Sequence, residues 1–211
     1  ARVAALAAWR AGRARVLVAS VQALLQPTLG RDDLPAAPRA IRTGDRQVQG
    51  ALLAELLRLG YEPVIEVAGR GEFARRGGLV DVFAAGADLP VRIEFFGDEI
   101  ASLRRFDPTD QRTVGPAEAI ELLPASEFLL PAEGPAGIRA RLGRLATRLP
   151  ERLAADLAHF EGADDHASTA DGTRALEAGD AAEVWAAILC PASGIDHLPP
   201  ETLLVLDEPG D

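Results

Sequence analysis

Arg75 and Arg76 stand side by side in the run GEFARRGGLVDVF, with Phe73 just ahead of them and the glycine pair Gly77-Gly78 just after. Guanidinium groups are planar forks that match carboxylates, and an aromatic neighbour supplies the apolar anchor common at protein interfaces. A turn presenting Phe73, Arg75 and Arg76 together could therefore recognise an acidic patch on another protein. A second reading needs no partner. Gly71, Gly77 and Gly78 permit the positive backbone angles of a tight hairpin, and the arginines pair with Glu72 or Asp81. Phe83, at the end of VDVF, is either a further surface anchor or a core residue, and strand alternation alone leaves both open.

Other residues capable of chemistry point away from catalysis. Glu94, Asp98 and Glu99 in IEFFGDEI lie close in sequence, but a Gly97-Asp98 turn between two strands accounts for them without an acid–base pair. Leu203 to Pro209 (LLVLDEP) has the form of a strand ending in the acidic pair Asp207-Glu208, as in a magnesium-holding nucleotide site. Such a site needs a lysine-bearing phosphate loop, and the chain contains no lysine at all. His159, His166, His197 and Cys190 show no compact ligand spacing, so no metal is expected. No serine sits in a nucleophile-elbow context. The expectation is a chain with no catalytic residue, no cofactor and no metal of its own.

The 211 residues carry a formal net charge of -10 and are 48% hydrophobic. That is enough for one large domain or two small ones with their own cores. Duplex DNA is bound mainly by neutralising phosphates, so an acidic chain is a poor bulk DNA binder. Even between Tyr61 and Arg112, seven arginines face ten carboxylates. No run approaches the roughly 20 apolar residues of a membrane span. A single cysteine and no leader-like start fit a reducing cytoplasm. Methionine is absent, so the chain is expected to be part of something longer. Missing Lys and Asn beside abundant Ala, Arg and Gly suggest a GC-rich bacterial source.

The elements that must position these residues follow from periodicity. Ala1 to Ala11 reads as a helix through Val3, Leu6 and Trp9, and Arg15 to Ala19 as a buried strand. Ser20 caps a helix running to Gln26, and Gly30 to Pro38 is a linker. Ala40 to Thr43 is a short strand. Asp45 then caps an amphipathic helix with Val48, Leu52, Leu53, Leu56, Leu57 and Leu59 on one face and Gly60 as its stop. Glu62 to Val67, Gly78 to Phe83, Val91 to Phe96, Glu99 to Phe106 and Ala117 to Leu123 read as strands of an antiparallel meander, broken by glycine and proline. Pro131 to Phe160 is helical with a break near Pro150, Gly162 to Asp180 is loop-rich, and Thr202 to Leu206 is a buried strand.

Three linked runs in order, GEFARRGGLVDVF, PVRIEFFGDEI and LRRFDPTDQR, resemble the UvrB-homology module of bacterial nucleotide excision repair, in the version found in the transcription-repair coupling factor (Mfd) family. The later run GIDHLPPETLLVLDEP matches that family's leucine-proline turn and following strand. The resemblance implies a mixed fold, α/β plus α+β. A degenerate helicase-like α/β domain (residues 1–35 and 125–211) carries an inserted small α+β antiparallel-sheet domain, residues 36–124, that binds UvrA. It places Arg76 where the family has an interface arginine before a glycine, with Arg75, Phe73 and Phe83 as neighbouring contacts. Glu62 and Pro63 stand where the UvrB version has another arginine. Asp207 and Glu208 become relics of a lost nucleotide site. The parent protein implied is an ATP- and magnesium-dependent DNA translocase that binds RNA polymerase and duplex DNA through other domains. The alternatives are a fragment of UvrB itself, which binds damaged DNA, a nucleotide-hydrolysing helicase domain, and a structural domain without a partner.

Without lysine or a phosphate loop, the chain is expected to give no saturable ATP–magnesium binding by isothermal titration. Micromolar binding would contradict this. With its net charge it is also expected to bind duplex DNA only weakly and with strong salt dependence. An anisotropy titration with damaged and undamaged duplex checks that, and tight damage-selective binding would favour the UvrB alternative.

Overall fold

The structure, a computed structural model, describes residues 2–35, 37–129, 135–143 and 182–205, with isolated positions between 151 and 158. Its helices are α1 (Arg2–Arg10), α2 (Val21–Leu25), α3 (Gln49–Arg58), α4 (Pro135–Leu142) and α5 (Ala182–Leu189). Its strands are β1 (Pro27–Thr28), β2 (Arg39–Arg42), β3 (Glu62–Pro63), β4 (Glu72–Arg76), β5 (Leu79–Val82), β6 (Val91–Phe96), β7 (Glu99–Phe106), β8 (Thr113–Pro116), β9 (Ala119–Leu122) and β10 (Ala192–Ser193).

Six strands form one sheet in the order β3-β4-β5-β6-β7-β8. Consecutive strands from β4 to β8 pair antiparallel, which is the meander that the turn residues predict. The short β3 pairs parallel to β4. One sheet face is buried. Val80, Val82, Val91, Ile93, Ile100 and Leu103 pack with Leu52 and Leu56 of α3 and with Ile41, Ile120 and Leu122 of the antiparallel β2–β9 pair. They recur at period two along β5 and β6 and at i, i+4 along the helix, the two periods that place residues on a common face, while β7 carries one extra residue between Ile100 and Leu103.

Helix α3 ends as predicted. Gly60 takes φ +77°, the Tyr61 amide donates to the Leu56 carbonyl at 2.9 Å and the Gly60 amide to Leu57 at 3.0 Å. That pair of bonds is a Schellman cap, and it drops the buried Tyr61 into the core beside Leu56. A side chain at Gly60 would bring Cβ to 2.8 Å from Ser126 Cβ. The start of α3 differs from expectation. The helix begins at Gln49, too far along for Asp45 to reach its free amides. Asp45 instead accepts the Arg42 amide at 2.7 Å and closes the preceding turn. Ser20 does cap α2, accepting the Ala23 amide at 3.1 Å.

Other expectations shift as well. Only Glu62–Pro63 of the predicted strand 62–67 joins the sheet, because the chain bends at 65–66 and buries Val67 against Ala74, Phe83 and Phe106 on the opposite face. The segment read as an arginine-bearing turn is strand β4, and β8 had no expectation. Arg15 to Ala19 and Thr202 to Val205 are not strands among the described residues, and Val16 and Val18 face solvent. An apolar run becomes a strand only where a neighbouring ladder receives it. The predicted break near Pro150, the loop 162–180, His159, His166, Asp207 and Glu208 lie outside the described residues.

A smaller core joins Val3, Leu6 and Ala7 of α1 to Leu29, Leu34 and Leu123. Arg2 ties its parts together, donating to the carbonyls of Ala23 (3.1 Å) and Pro27 (2.6 Å) and pairing with the Glu127 carboxylate. That carboxylate raises the Arg2 pKa above its ordinary value. On the far side β1 pairs with β10, and the buried His197 holds the returning chain through a 2.7 Å bond from Nε2–H to the Leu29 carbonyl. Its Nδ1 is buried without a partner.

Burial holds the His197 pKa below its ordinary value, and nearby Arg10 and Arg31 push the same way, while the Leu29 carbonyl and Asp196 oppose them. The folded state therefore holds the ring neutral. The unfolded chain takes up its proton first, near pH 6.5, so His197 contributes no pH dependence above that value and stability falls as pH drops below it. The loss attributable to His197 is therefore expected on going from pH 6.5 to 5.5, with the fold less stable at the lower pH. Urea titrations of the parent and His197→Asn at both pH values check this, since the variant should lack that component.

Candidate functional site

Strand register decides where the predicted recognition residues lie. Arg76 pairs with Leu79, Leu79 with Glu94, and Glu94 with Ser102, so these four form one cross-strand row. The next row on the same face is Ala74, Asp81, Arg92, Arg104 and Pro116. The intervening rows, Arg75–Val80–Ile93–Leu103 and Phe73–Val82–Val91–Arg105, point to the opposite face, beneath α3. Arg75 and Arg76 are therefore both exposed but project to opposite sides of the sheet, not together from a turn. Adjacent residues of a strand cannot share a face.

The two phenylalanines also change role. Phe73 is 5% exposed and packs in the main core under α3, so it supports β4 from within. Phe83 is 7% exposed in the small cluster with Val67, Ala74 and Phe106. The Arg70 guanidinium lies 5.9 Å from the Phe83 ring centre and covers it. Neither ring is a surface anchor. The pairing of the arginines with Glu72 or Asp81 is also not what forms. Glu72 accepts the amides of Ala68 and Gly69. Asp81, 2% exposed, takes a two-pronged bond from Arg92 at 2.7 and 2.8 Å. Arg92 is further held over the Phe106 ring at 4.8 Å, and Asp81 raises its pKa above the ordinary value.

The Arg76 face is thus a built polar surface on an apolar footing. Arg76 reaches the Glu66 carboxylate at 3.9 Å, a loose contact between two half-exposed groups. Glu94 accepts from Ser102 Oγ at 2.7 Å and from Arg104 at 3.1 Å. Neighbouring strands are about 4.8 Å apart, which puts Arg76 and Glu94 about 10 Å apart across Leu79. At the end of the same face, one pleat beyond Glu94, stands Phe96, 83% exposed. Ala101 is the extra residue of a bulge in β7, which keeps Phe95 opposite Ile100 and Phe96 opposite Glu99.

Sequence reading missed Phe96, Leu79, Glu94 and Arg104 as companions of Arg76. Alternation from Glu94 to Phe96 was legible, but joining β6 to β4 required the register of β5 between them. The arrangement offers two half-exposed cations, a carboxylate and an uncovered aromatic ring. Among the described residues no three or more His, Cys, Asp or Glu side chains come together as a metal site. Cys190 is buried, its thiol pushed up to about 11 by that burial, which leaves it unreactive.

Residues 40–128 match the family model of the UvrB interaction domain. The transcription-repair-coupling factor of Escherichia coli is 43% identical over 113 residues, 54% of this chain and 10% of that protein. The same factor from Bacillus subtilis is 30% identical over 206 residues, 93% of this chain and 17% of its own length. The UvrABC system protein B of Gloeobacter violaceus is 31% identical over 147 residues, 70% of this chain and 20% of that protein. The chain therefore spans a small part of the length of the curated relatives it matches. The exposed arginine face belongs to a UvrB interaction domain, and through that domain and its flanks the chain belongs with the transcription-repair-coupling factors.

Proposed function

We propose that the chain is a protein-recognition module that binds UvrA through the Arg76 face and so brings nucleotide excision repair to stalled RNA polymerase. The observation carrying this reading is the combination on one sheet face of Arg76, Leu79, Glu94 and Arg104 with the uncovered Phe96. Interface hot spots are rich in arginine and aromatic side chains set among contacts that exclude water. An uncovered phenylalanine ring on the same face as two half-exposed arginines supplies both the apolar and the charged part of such a site. The match of residues 40–128 to a UvrB interaction domain supports UvrA as the partner.

Residues 1–35 and 125–211 are read as the two parts of a degenerate helicase-like domain from which residues 36–124 are inserted. Contacts to RNA polymerase and to duplex DNA, and ATP- and magnesium-driven translocation, are assigned to other parts of the longer protein. A cytoplasmic location accords with this work. Among the described residues no helix is long and apolar enough to cross a membrane. The second reading, a UvrB segment that contacts damaged DNA, is favoured by the 31% identity to the Gloeobacter protein. The acidic balance of the chain weighs against it.

Truncation of a central interface arginine or aromatic residue commonly costs about 2 kcal/mol, roughly thirtyfold in affinity. Arg76→Ala and Phe96→Ala are each expected to weaken binding to the cognate UvrA by about that factor, read by calorimetric or anisotropy titration. Their melting temperatures should stay close to the parent's, because both side chains are exposed. Arg75→Ala, on the opposite face, is expected to bind nearly as the parent does. Equal losses for Arg75→Ala and none for Arg76→Ala would overturn the assignment of the face.

A further inference from the structure

Helix α1 is tied to the sheet domain at both ends. At its start Arg2 pairs with Glu127, and three residues past its end Arg13 pairs with Glu121 of β9 at 2.9 Å. Both carboxylates lie on the stretch by which the chain leaves the sheet domain. Between the two ties the helix presents Ala4 and Ala8, and Ala84, Gly86 and Ala87 of the β5–β6 connection stand across from them. Side chains this short leave the space between helix and loop unfilled. A cleft of about 680 Å³ remains beside α1.

The walls of this cleft are chemically simple. Every uncharged residue that lines it is alanine, glycine, leucine, valine or isoleucine. The charged ones are Arg13, Asp88, Arg105 and Glu121. Three of these have partners in the fold. Arg13 and Glu121 hold each other, and Asp88 accepts from Arg70 at 3.1 Å. Arg105 is the fourth. In the sheet it stands between Val91 and Gly115, neither of which can pair with a guanidinium. Among the described residues no hydrogen bond or ion pair reaches its side chain, whereas Arg76, Arg92 and Arg104 each meet a carboxylate. The cleft therefore carries one unmatched positive charge in an apolar trough.

We infer that this cleft is a second docking site, and that it takes a segment of a partner protein in which an apolar side chain adjoins an aspartate or glutamate. The apolar side chain rests against the alanines, where burial of its area is favourable. The neighbouring carboxylate meets Arg105, whose planar fork fixes the direction in which the segment lies. Charge complementarity selects an anionic segment over a neutral or basic one, because both acidic groups of the cleft already have arginine partners. No wall residue can stack on a base, which sets single-stranded nucleic acid aside. Register separates the cleft from the Arg76 face. Arg105 shares its row with Phe73, Val82 and Val91, on the opposite side of the sheet. The two sites can be filled at once, and neither depends on the other.

The test is an NMR titration of the whole chain with two dipeptides blocked at both ends, leucine-aspartate and leucine-asparagine, at millimolar concentration. Saturable shifts of the Ala4, Ala8 and Ala87 methyl signals are expected, with the aspartate form bound about fivefold more tightly, the scale of one exposed ion pair. Arg105→Gln is expected to abolish that preference and to leave the melting temperature unchanged, since the side chain is exposed. Gly86→Leu fills the cleft from its wall. A Cβ there meets only Leu123 at 3.6 Å and Ala4 at 3.8 Å, both ordinary contacts. This variant is expected to block both dipeptides. Absence of a saturable shift, equal affinity for the two dipeptides, or a preference that survives Arg105→Gln overturns the inference. Octanoate shifting the same signals while both dipeptides stay silent would assign the cleft to a free fatty acid and overturn the protein segment as its occupant.

Discussion

Burial of one face of the six-stranded sheet beneath α3 and the β2–β9 pair is the constraint on which the remaining architecture depends. Side chains along a strand alternate with period two, so slipping any strand by one residue would exchange its buried and exposed sets. Val80, Val82, Val91, Ile93 and Leu103 can lie under α3 in only one register. That register simultaneously lines up Arg76, Leu79 and Glu94 on the other side. The apolar core thus specifies the charged face without touching it. The Schellman cap at Gly60 matters for the same reason. It ends α3 where Tyr61 can enter the core and the chain can turn back along β4.

The exposed face has its own internal logic. Asp81 is nearly inaccessible, and a carboxylate there is tolerable because Arg92 satisfies it at two points and is itself stacked on Phe106. Such a pair contributes less to stability than its geometry suggests, since desolvation offsets most of the attraction. Its larger effect is to fix which groups are occupied. Arg92 is committed to the sheet, whereas Arg76 and Arg104 keep only loose or half-exposed contacts. Arg76 and Arg104 are thus the arginines of this face that the fold itself holds least tightly.

Around the sheet domain, the N-terminal helix and the returning chain are joined by few but multiply bonded residues. Arg2 spans α1, the α2–β1 segment and Glu127, and His197 closes the β1–β10 contact from the other side. Here small apolar contacts are supplemented by polar ties, and one of them, His197, is sensitive to protonation because its second ring nitrogen has nowhere to place a proton. In the main core the titratable Tyr61 is pushed up to about 12 by burial, so it stays neutral where His197 titrates.

The amino-acid sequence by itself determined the meander, the amphipathic helix with its glycine stop, the absence of a phosphate-binding lysine and the kinship with UvrB-type domains. Each depends on local periodicity, on residues with special backbone freedom, or on short linked motifs. Only the tertiary structure decided that Arg75 and Arg76 part company, that Phe73 and Phe83 are interior, that Asp45 closes a turn instead of capping α3, and that Phe96 stands in solvent on the sheet face that carries Arg76. Those outcomes hang on cross-strand register and on which segment covers which face. The same apolar run, Arg15 to Ala19, lacks a ladder among the described residues, whereas Val91 to Phe96 finds two. Pairing joins residues far apart in the chain, and no single segment carries the information about which neighbour it will meet.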